Sequence, residues 1–292
     1  MSSGTEPAGL SSQFGDGNCR APCSTSVPAL RPRRRRRARI GTIRPMQRPR
    51  IHTPAALHTG INHTLPESAA VHVTRVLRLR AGDPITLFDG TGLDYDAILR
   101  EVARGRVSAE VGTGRRVESE SPLEITLLQG VSRGPRMDTV MQKATELGVR
   151  IVQPLLTERS VVRLDAERGQ ARLEHWQRIV ISACEQCGRS VVPEILPARS
   201  LDEALAELEP GTVGLTLDPA GTIQLAGLLG EARRLALAVG PEGGFTGNEI
   251  LALTAAGFRG LRLGPRILRT ETAPLAALAI LQYAWGDLGS PL

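Results

Sequence analysis

Leu235-Ala-Leu-Ala-Val-Gly-Pro-Glu-Gly-Gly-Phe245 is the stretch on which the fold turns. Five apolar residues closed by Gly and Pro suit a strand buried on both faces, as in a parallel sheet. Thr246-Gly-Asn-Glu249 follows directly, a capping box that opens a helix running to Ala256. The same order of strand, loop and helix is legible on either side. Val213 to Leu217 leads into the loop Thr216-Leu-Asp-Pro-Ala220, and Leu261-Arg-Leu263 leads into Gly264-Pro-Arg-Ile-Leu-Arg-Thr-Glu-Thr272 and a last helix to Leu288. Upstream, Leu123 to Leu128, Ile151 to Leu155 and Val191 to Ile195 read as strands. Between them lie the helical stripe Met137, Val140, Met141, Ala144, Leu147, ended by Gly148, and a long helix over Gln170 to Cys187. A second capping box, Ser200-Leu-Asp-Glu203, opens a helix to Leu208. This alternation predicts an α/β domain over 119–292 with a mostly parallel sheet.

In a parallel sheet the three late loops emerge together at the C-terminal strand edge, where α/β proteins bind ligands. Gly240, Gly243 and Gly244 have no Cβ to hold a ligand off the backbone. One such loop is an ordinary strand-to-helix turn; three at one edge can line a pocket. The pocket lacks both phosphate cradles. Gly-x-x-x-x-Gly-Lys-Ser/Thr is absent, and Gly240-Pro-Glu-Gly-Gly244 is not Gly-x-Gly-x-x-Gly. The acidic Glu242 in the loop favours a cationic ligand over an anionic one.

Residues 46–118 have a different texture. A helix is predicted over Glu67 to Leu79, followed by Ile85 to Phe88, the turn Asp89-Gly-Thr-Gly92, and the runs Tyr95 to Val102 and Val107 to Val111. Successive hairpin signals suggest a small β-barrel, joined to the next domain by the polar linker Arg115 to Pro122. Residues 1–45 are rich in Ser, Gly, Pro and Arg without apolar periodicity, the composition of a disordered tail. Arg33 to Arg37 there could tether RNA, form a solvated tail, or lie upstream of a start at Met46.

The chain of 292 residues carries 36 Lys+Arg against 30 Asp+Glu, but nine Arg and only two acids fall in residues 1–45. The excess belongs to the tail, so any nucleic-acid surface on the folded body must be a local patch. No apolar stretch approaches the ~18 residues of a membrane span, and the N-terminus lacks a signal-peptide h-region. A cytoplasmic protein with no membrane and no DNA partner is expected, with thiols reduced. Cys184-Glu-Gln-Cys187 could complete a zinc site with Cys19 and Cys23. Packing of a helical i, i+3 pair is the simpler reading, and no metal is expected. The five His are scattered, and no Ser/His/Asp arrangement is legible.

Five motifs in order give a more specific reading. Arg136-Met-Asp-x-x-x-Gln-Lys143-Ala-Thr-Glu-Leu-Gly148, Glu158-Arg-Ser160, Glu185-Gln-Cys-Gly-Arg189-Ser-x-x-Pro193, Gly240-Pro-Glu-Gly-Gly244 and Leu263-Gly-Pro-Arg-Ile-Leu-Arg-Thr-Glu-Thr272 together resemble the RsmE family of 16S rRNA (uracil-N3)-methyltransferases, in the SPOUT (trefoil-knot) superfamily. The resemblance covers about residues 46–290. It implies a PUA-like RNA-binding β-barrel, a knotted α/β domain binding S-adenosylmethionine (AdoMet), and a homodimer. It also implies methylation of N3 of a uridine in the decoding region of 16S rRNA, on the assembled small subunit.

On this resemblance the cofactor site takes Leu215, Thr216, Leu217, Gly240, Pro241, Glu242, Gly243, Gly244, Leu263, Gly264 and Leu268. Arg269 and Glu271 become candidates for anion stabiliser and general base. The alternative is that these two pair with each other to hold the knot closed. Arg50, Arg75, Arg78 and Arg80 are candidate RNA contacts on the barrel, with an ordinary solvated face as the other reading. Lys143 and Glu146, one helical turn apart, are expected to form a structural ion pair. Two other functions stay open: a non-catalytic RNA-binding ribosome-assembly factor, and a SPOUT enzyme acting on another RNA. The intact glycine loop and Arg266 to Thr272 favour catalysis over the first.

Overall fold

A computed structural model describes residues 48–103, 105–160, 166–223 and 233–289. Residues 1–45, with Cys19, Cys23 and the arginine run, lie outside them.

The N-terminal part is a five-stranded sheet in the order β1 (Arg50–His52), β3 (Pro84–Phe88), β4 (Leu93–Ala103), β5 (Arg106–Arg116), β2 (Asn62–Thr64). β1 runs parallel to β3; the other pairs are antiparallel. Register shifts at Tyr95/Ala97 and Leu99/Glu101 bend the long β4–β5 hairpin, as bulges do. The bent sheet wraps Ile51, Leu57, Val73, Leu87, Leu99 and Val107 into a core of its own. The helix expected over Glu67 to Leu79 is interrupted. After α1 (Glu67–Val71) the chain widens into a π-helical turn over His72–Val76, where Leu77 N–H donates to His72 O. Arg78 then adopts φ +55°, a left-handed conformation that stops the helix.

The second part is an all-parallel sheet in the order β12 (Arg259–Leu261), β10 (Val213–Leu217), β11 (Arg234–Val239), β6 (Glu124–Gly130), β7 (Ile151–Leu156), β8 (Glu194–Ile195), with β9 (Arg199–Ser200) also beside β7. The helices are α2 (Pro135–Glu146), α3 (Ala166–Cys187), α4 (Leu201–Ala206), α5 (Gly247–Ala255) and α6 (Thr272–Trp285). Both capping boxes form, Ser200 with Glu203 and Thr246 with Glu249. The sheet core joins Leu127, Val152, Leu215, Leu237 and Leu261 to Met137, Met141, Trp176 and Leu278 from α2, α3 and α6.

The order of strands positions the site. After β7, β8 and β9 the chain crosses to β10 on the far side of β6, leaving a gap that β11 later fills, and β12 is then laid outside β10. Every strand being parallel, the segments after β6, β10, β11 and β12 share one edge. The last strand ends two residues earlier than its apolar pattern suggested. Gly260 and Gly221 approach too closely for a Cβ at Gly221, and Arg262 N–H turns to Ile223 O. Leu263 is thereby released from the sheet into the loop.

The two parts meet at the end of α3. Arg189 is buried, donating to Glu120 at 3.1 Å and 3.2 Å and to Thr145 O and Val149 O, both at 2.9 Å. Ser190 donates to Asp94 at 2.5 Å. Arg50 pairs with that same Asp94 and donates to Arg189 O at 3.0 Å and Ser190 Oγ at 3.1 Å. His52 N–H donates to Glu185 at 3.0 Å.

Candidate functional site

A cleft of about 660 Å³ opens at the shared strand edge, within the usual size of small-molecule sites. Its walls are the loops after β10, β11 and β12, with Leu217, Val239, Leu261, Leu263 and Leu268 supplying apolar surface. The glycine loop is held from behind. Gly130, at the end of β6, has Pro241 N only 2.5 Å from where its Cβ would be, and Gly240 has the Gly244 carbonyl carbon 2.8 Å from where its own would be. Arg159 donates to Gly243 O at 2.8 Å and Phe245 O at 3.3 Å. Glu249, already capping α5, also accepts from Glu158 N–H at 2.9 Å. The Glu158-Arg-Ser160 motif is thus the backing of the glycine loop.

The third loop is tied to the second by Thr270, whose hydroxyl donates to Gly240 O at 2.9 Å. Gln129, near the end of β6, and Ser132, just after it, lie at 3.4 Å and 3.3 Å from the same hydroxyl. Glu242 accepts from Arg133 N–H at 3.0 Å and from Arg136 at 2.7 Å. Partial burial alone would raise its pKa, but these donors outweigh it and hold the carboxyl below its usual range. The Arg136 guanidinium also stands 3.8 Å from Glu271. Among the described residues Glu271 therefore has Arg136, and not Arg269, as its ion-pair partner. Among the described residues Glu271 Oε2 is buried without a hydrogen bond, while Arg269 is exposed and its guanidinium has no partner.

Of the candidate cofactor residues, Leu217, Gly240, Pro241, Glu242, Gly243, Gly244, Leu263, Gly264 and Leu268 line the cleft, as do Arg269 and Glu271. Two do not. Leu215 is wholly buried in the sheet core, and Thr216 is buried behind the wall with its hydroxyl unpartnered. Asp218 and Pro219 take their place on the first loop. Arg50 is also misplaced as an RNA contact: its side chain is 8 % exposed, paired with Asp94 and stacked 4.9 Å from the Phe88 ring. Arg75, Arg78 and Arg80 are exposed and line a second hollow on the barrel. Lys143 and Glu146 form their ion pair at 2.8 Å. Cys184 is buried, its thiol pushed up to about 12 by that burial, and Cys187 is half-buried. Among the described residues no cluster of three or more His, Cys, Asp or Glu could hold a metal, and no helix is long and apolar enough to cross a membrane.

Sequence reasoning gave no role to Arg136, Arg159, Thr270 or Gln129. The first three lie inside motifs quoted above, which was their only signal.

Comparison with known proteins matches this geometry. A family profile described as an RNA methyltransferase domain covers residues 119–282, and one described as an RNA methyltransferase PUA domain covers 65–112. The ribosomal RNA small subunit methyltransferase E of Synechocystis is 35% identical over 74% of this chain and 71% of its own. The chain belongs to the RsmE family. The RsmE protein of Neisseria gonorrhoeae, solved with bound S-adenosyl methionine, is 44% identical with a TM-score of 0.80, covering 82% of this chain and 99% of that one. A Legionella pneumophila methyltransferase solved with the same cofactor is 40% identical with a TM-score of 0.80, covering 83% and 100%. The fold is accordingly that of the SPOUT methyltransferases, a mostly parallel α/β sheet beside a PUA-like β domain.

Proposed function

We propose that this RsmE-family chain uses AdoMet to methylate N3 of one uridine in the decoding region of 16S rRNA, on the assembled small subunit. We take residues 46–118 as the RNA-binding barrel and 119–292 as the catalytic domain, working as a cytoplasmic homodimer. The observation that carries the reading is one cleft lined by three strand-end loops, with Glu271 and Arg269 both lining it from the third.

The cleft suits AdoMet on its own chemistry. Apolar side chains and bare glycine backbone match an adenosine and a methionine chain, and the ionised Glu242 suits a sulfonium. When bound, AdoMet supplies an electrophilic methyl group. We assign its binding to Leu217, Leu263 and Leu268 and to the backbone of 240–244. Uridine N3 is protonated at neutral pH and must lose that proton to become a nucleophile. We assign the Glu271 carboxylate, which lines the cleft, as the base that takes the N3 proton, a role worth about 10² to 10⁴-fold. We assign Arg269, which also lines the cleft, to balance the charge left on the uracil ring. Arg75, Arg78 and Arg80 supply cations for RNA on the barrel.

The test is single-turnover methyl transfer at saturating AdoMet. Glu271→Gln and Arg269→Ala should each slow the chemical step by about 10² or more while AdoMet still binds. Loss of AdoMet binding in both variants would move these residues from catalysis to cofactor holding.

A further inference from the structure

The third loop carries more charge than the chemistry of Glu271 and Arg269 requires. Arg262 and Arg266 both line the cleft, are exposed, and make no ion pair through their guanidinium groups among the described residues. Of the other cleft cations, Arg269 is assigned to the chemistry above, Arg136 faces Glu242 and Glu271, and Arg159 faces backbone carbonyls. Next to Arg266 in the chain sits Ile267, 85 % exposed, the most exposed large apolar side chain among the described residues. No acid lies between Leu261 and Thr270.

Free cations and a bare apolar side chain on one loop of one cleft match a stacked polyanion. Uridine N3 is on the Watson–Crick edge, out of reach while the base is paired or stacked, and enzymes acting there extrude the base. Extrusion leaves a gap that apolar side chains, Ile among them, fill in other nucleic-acid complexes. We propose that the 262–269 loop opens the RNA: Arg262 and Arg266 hold phosphates beside the target uridine, and Ile267 enters the stack the uridine leaves. This rests on the rRNA-methyltransferase reading above.

The test uses the full chain with unmethylated small ribosomal subunits and S-adenosylhomocysteine, mapping nucleotide flexibility by 2′-hydroxyl acylation. At saturation the wild type should raise the reactivity of nucleotides flanking the target by about threefold or more, and Ile267→Ala should not, its kcat falling about tenfold or more because unstacking is no longer offset. Arg262→Gln with Arg266→Gln should instead raise KM for subunits and flatten the log–log salt dependence of binding by about 1.4. Ile267→Ala giving the wild-type reactivity pattern overturns the proposal. So does a weakened AdoMet affinity or a changed molecular mass in that variant, which would make Ile267 a cofactor wall or a subunit contact. If the wild type neither binds nor methylates the subunits, it is the rRNA reading that fails.

Discussion

Gly130→Ala isolates the packing that shapes the cofactor cleft. Gly130 closes β6 in ordinary backbone conformation, so the substitution adds one methyl group without backbone strain. An ideal Cβ there stands 2.5 Å from Pro241 N, 2.6 Å from Pro241 Cδ and 2.9 Å from the Gly240 carbonyl carbon. Ordinary contact begins near 3.4 Å, so the glycine loop must retreat by about 0.9 Å. Most of what the methyl meets is backbone, which cannot rotate away. Overpacking of this size costs about 1–3 kcal/mol, and a misplacement of about 1 Å at a site can cost on the order of 10²-fold. We expect a folded protein whose urea midpoint falls without a change in m, read from Trp176 and Trp285 fluorescence. Its AdoMet affinity by calorimetry should fall about tenfold or more, since the wall 240–244 moves. Wild-type midpoint and affinity together would refute the claim that β6 backs the glycine loop.

Other outcomes follow from the junction of the two parts. Arg189→Ala removes the donor to two buried carbonyls and to Glu120, and should cost about 3–5 kcal/mol in urea unfolding. Glu185 is held above the usual carboxylate pKa, chiefly by burial and against the opposing His52 N–H. A raised folded-state pKa means stability present at acid pH and lost as pH rises through that value. Glu185→Gln keeps the acceptor for His52 N–H, so it should raise thermal stability at neutral pH. The gain should shrink to nothing below the ordinary carboxylate value; a gain independent of pH would contradict burial as the cause.

The α/β half was legible because its signals are local. Apolar runs closed by Gly or Pro, and side chains that cap three residues ahead, act within one turn of the chain, which is why Val213 to Leu217 and both capping boxes stand where they were read. The site was legible through its loops, since a parallel sheet sends all of them to one edge. What failed depended on distant partners. Arg50 looked like a surface cation and is instead drawn to Asp94 and Ser190, remote in sequence. Leu215 and Thr216 lie on the right strand, yet only the register with β11 and β12 decides that Leu217 is the first residue to reach the cleft. β2, three residues long, has no pattern of its own and exists because β5 pairs with it at Asn62 to Thr64. The helix after Glu67 fails at Arg78 through a backbone conformation that its residue type does not signal.

The most direct measurement is methyl transfer from labelled AdoMet to small ribosomal subunits from cells lacking this protein, followed by nucleoside analysis of the 16S rRNA. The account predicts label in 3-methyluridine alone, at one decoding-region position, and its loss with Gly243→Asp in the cofactor loop. Label in another nucleoside, or AdoMet binding with no rRNA labelled, would contradict it.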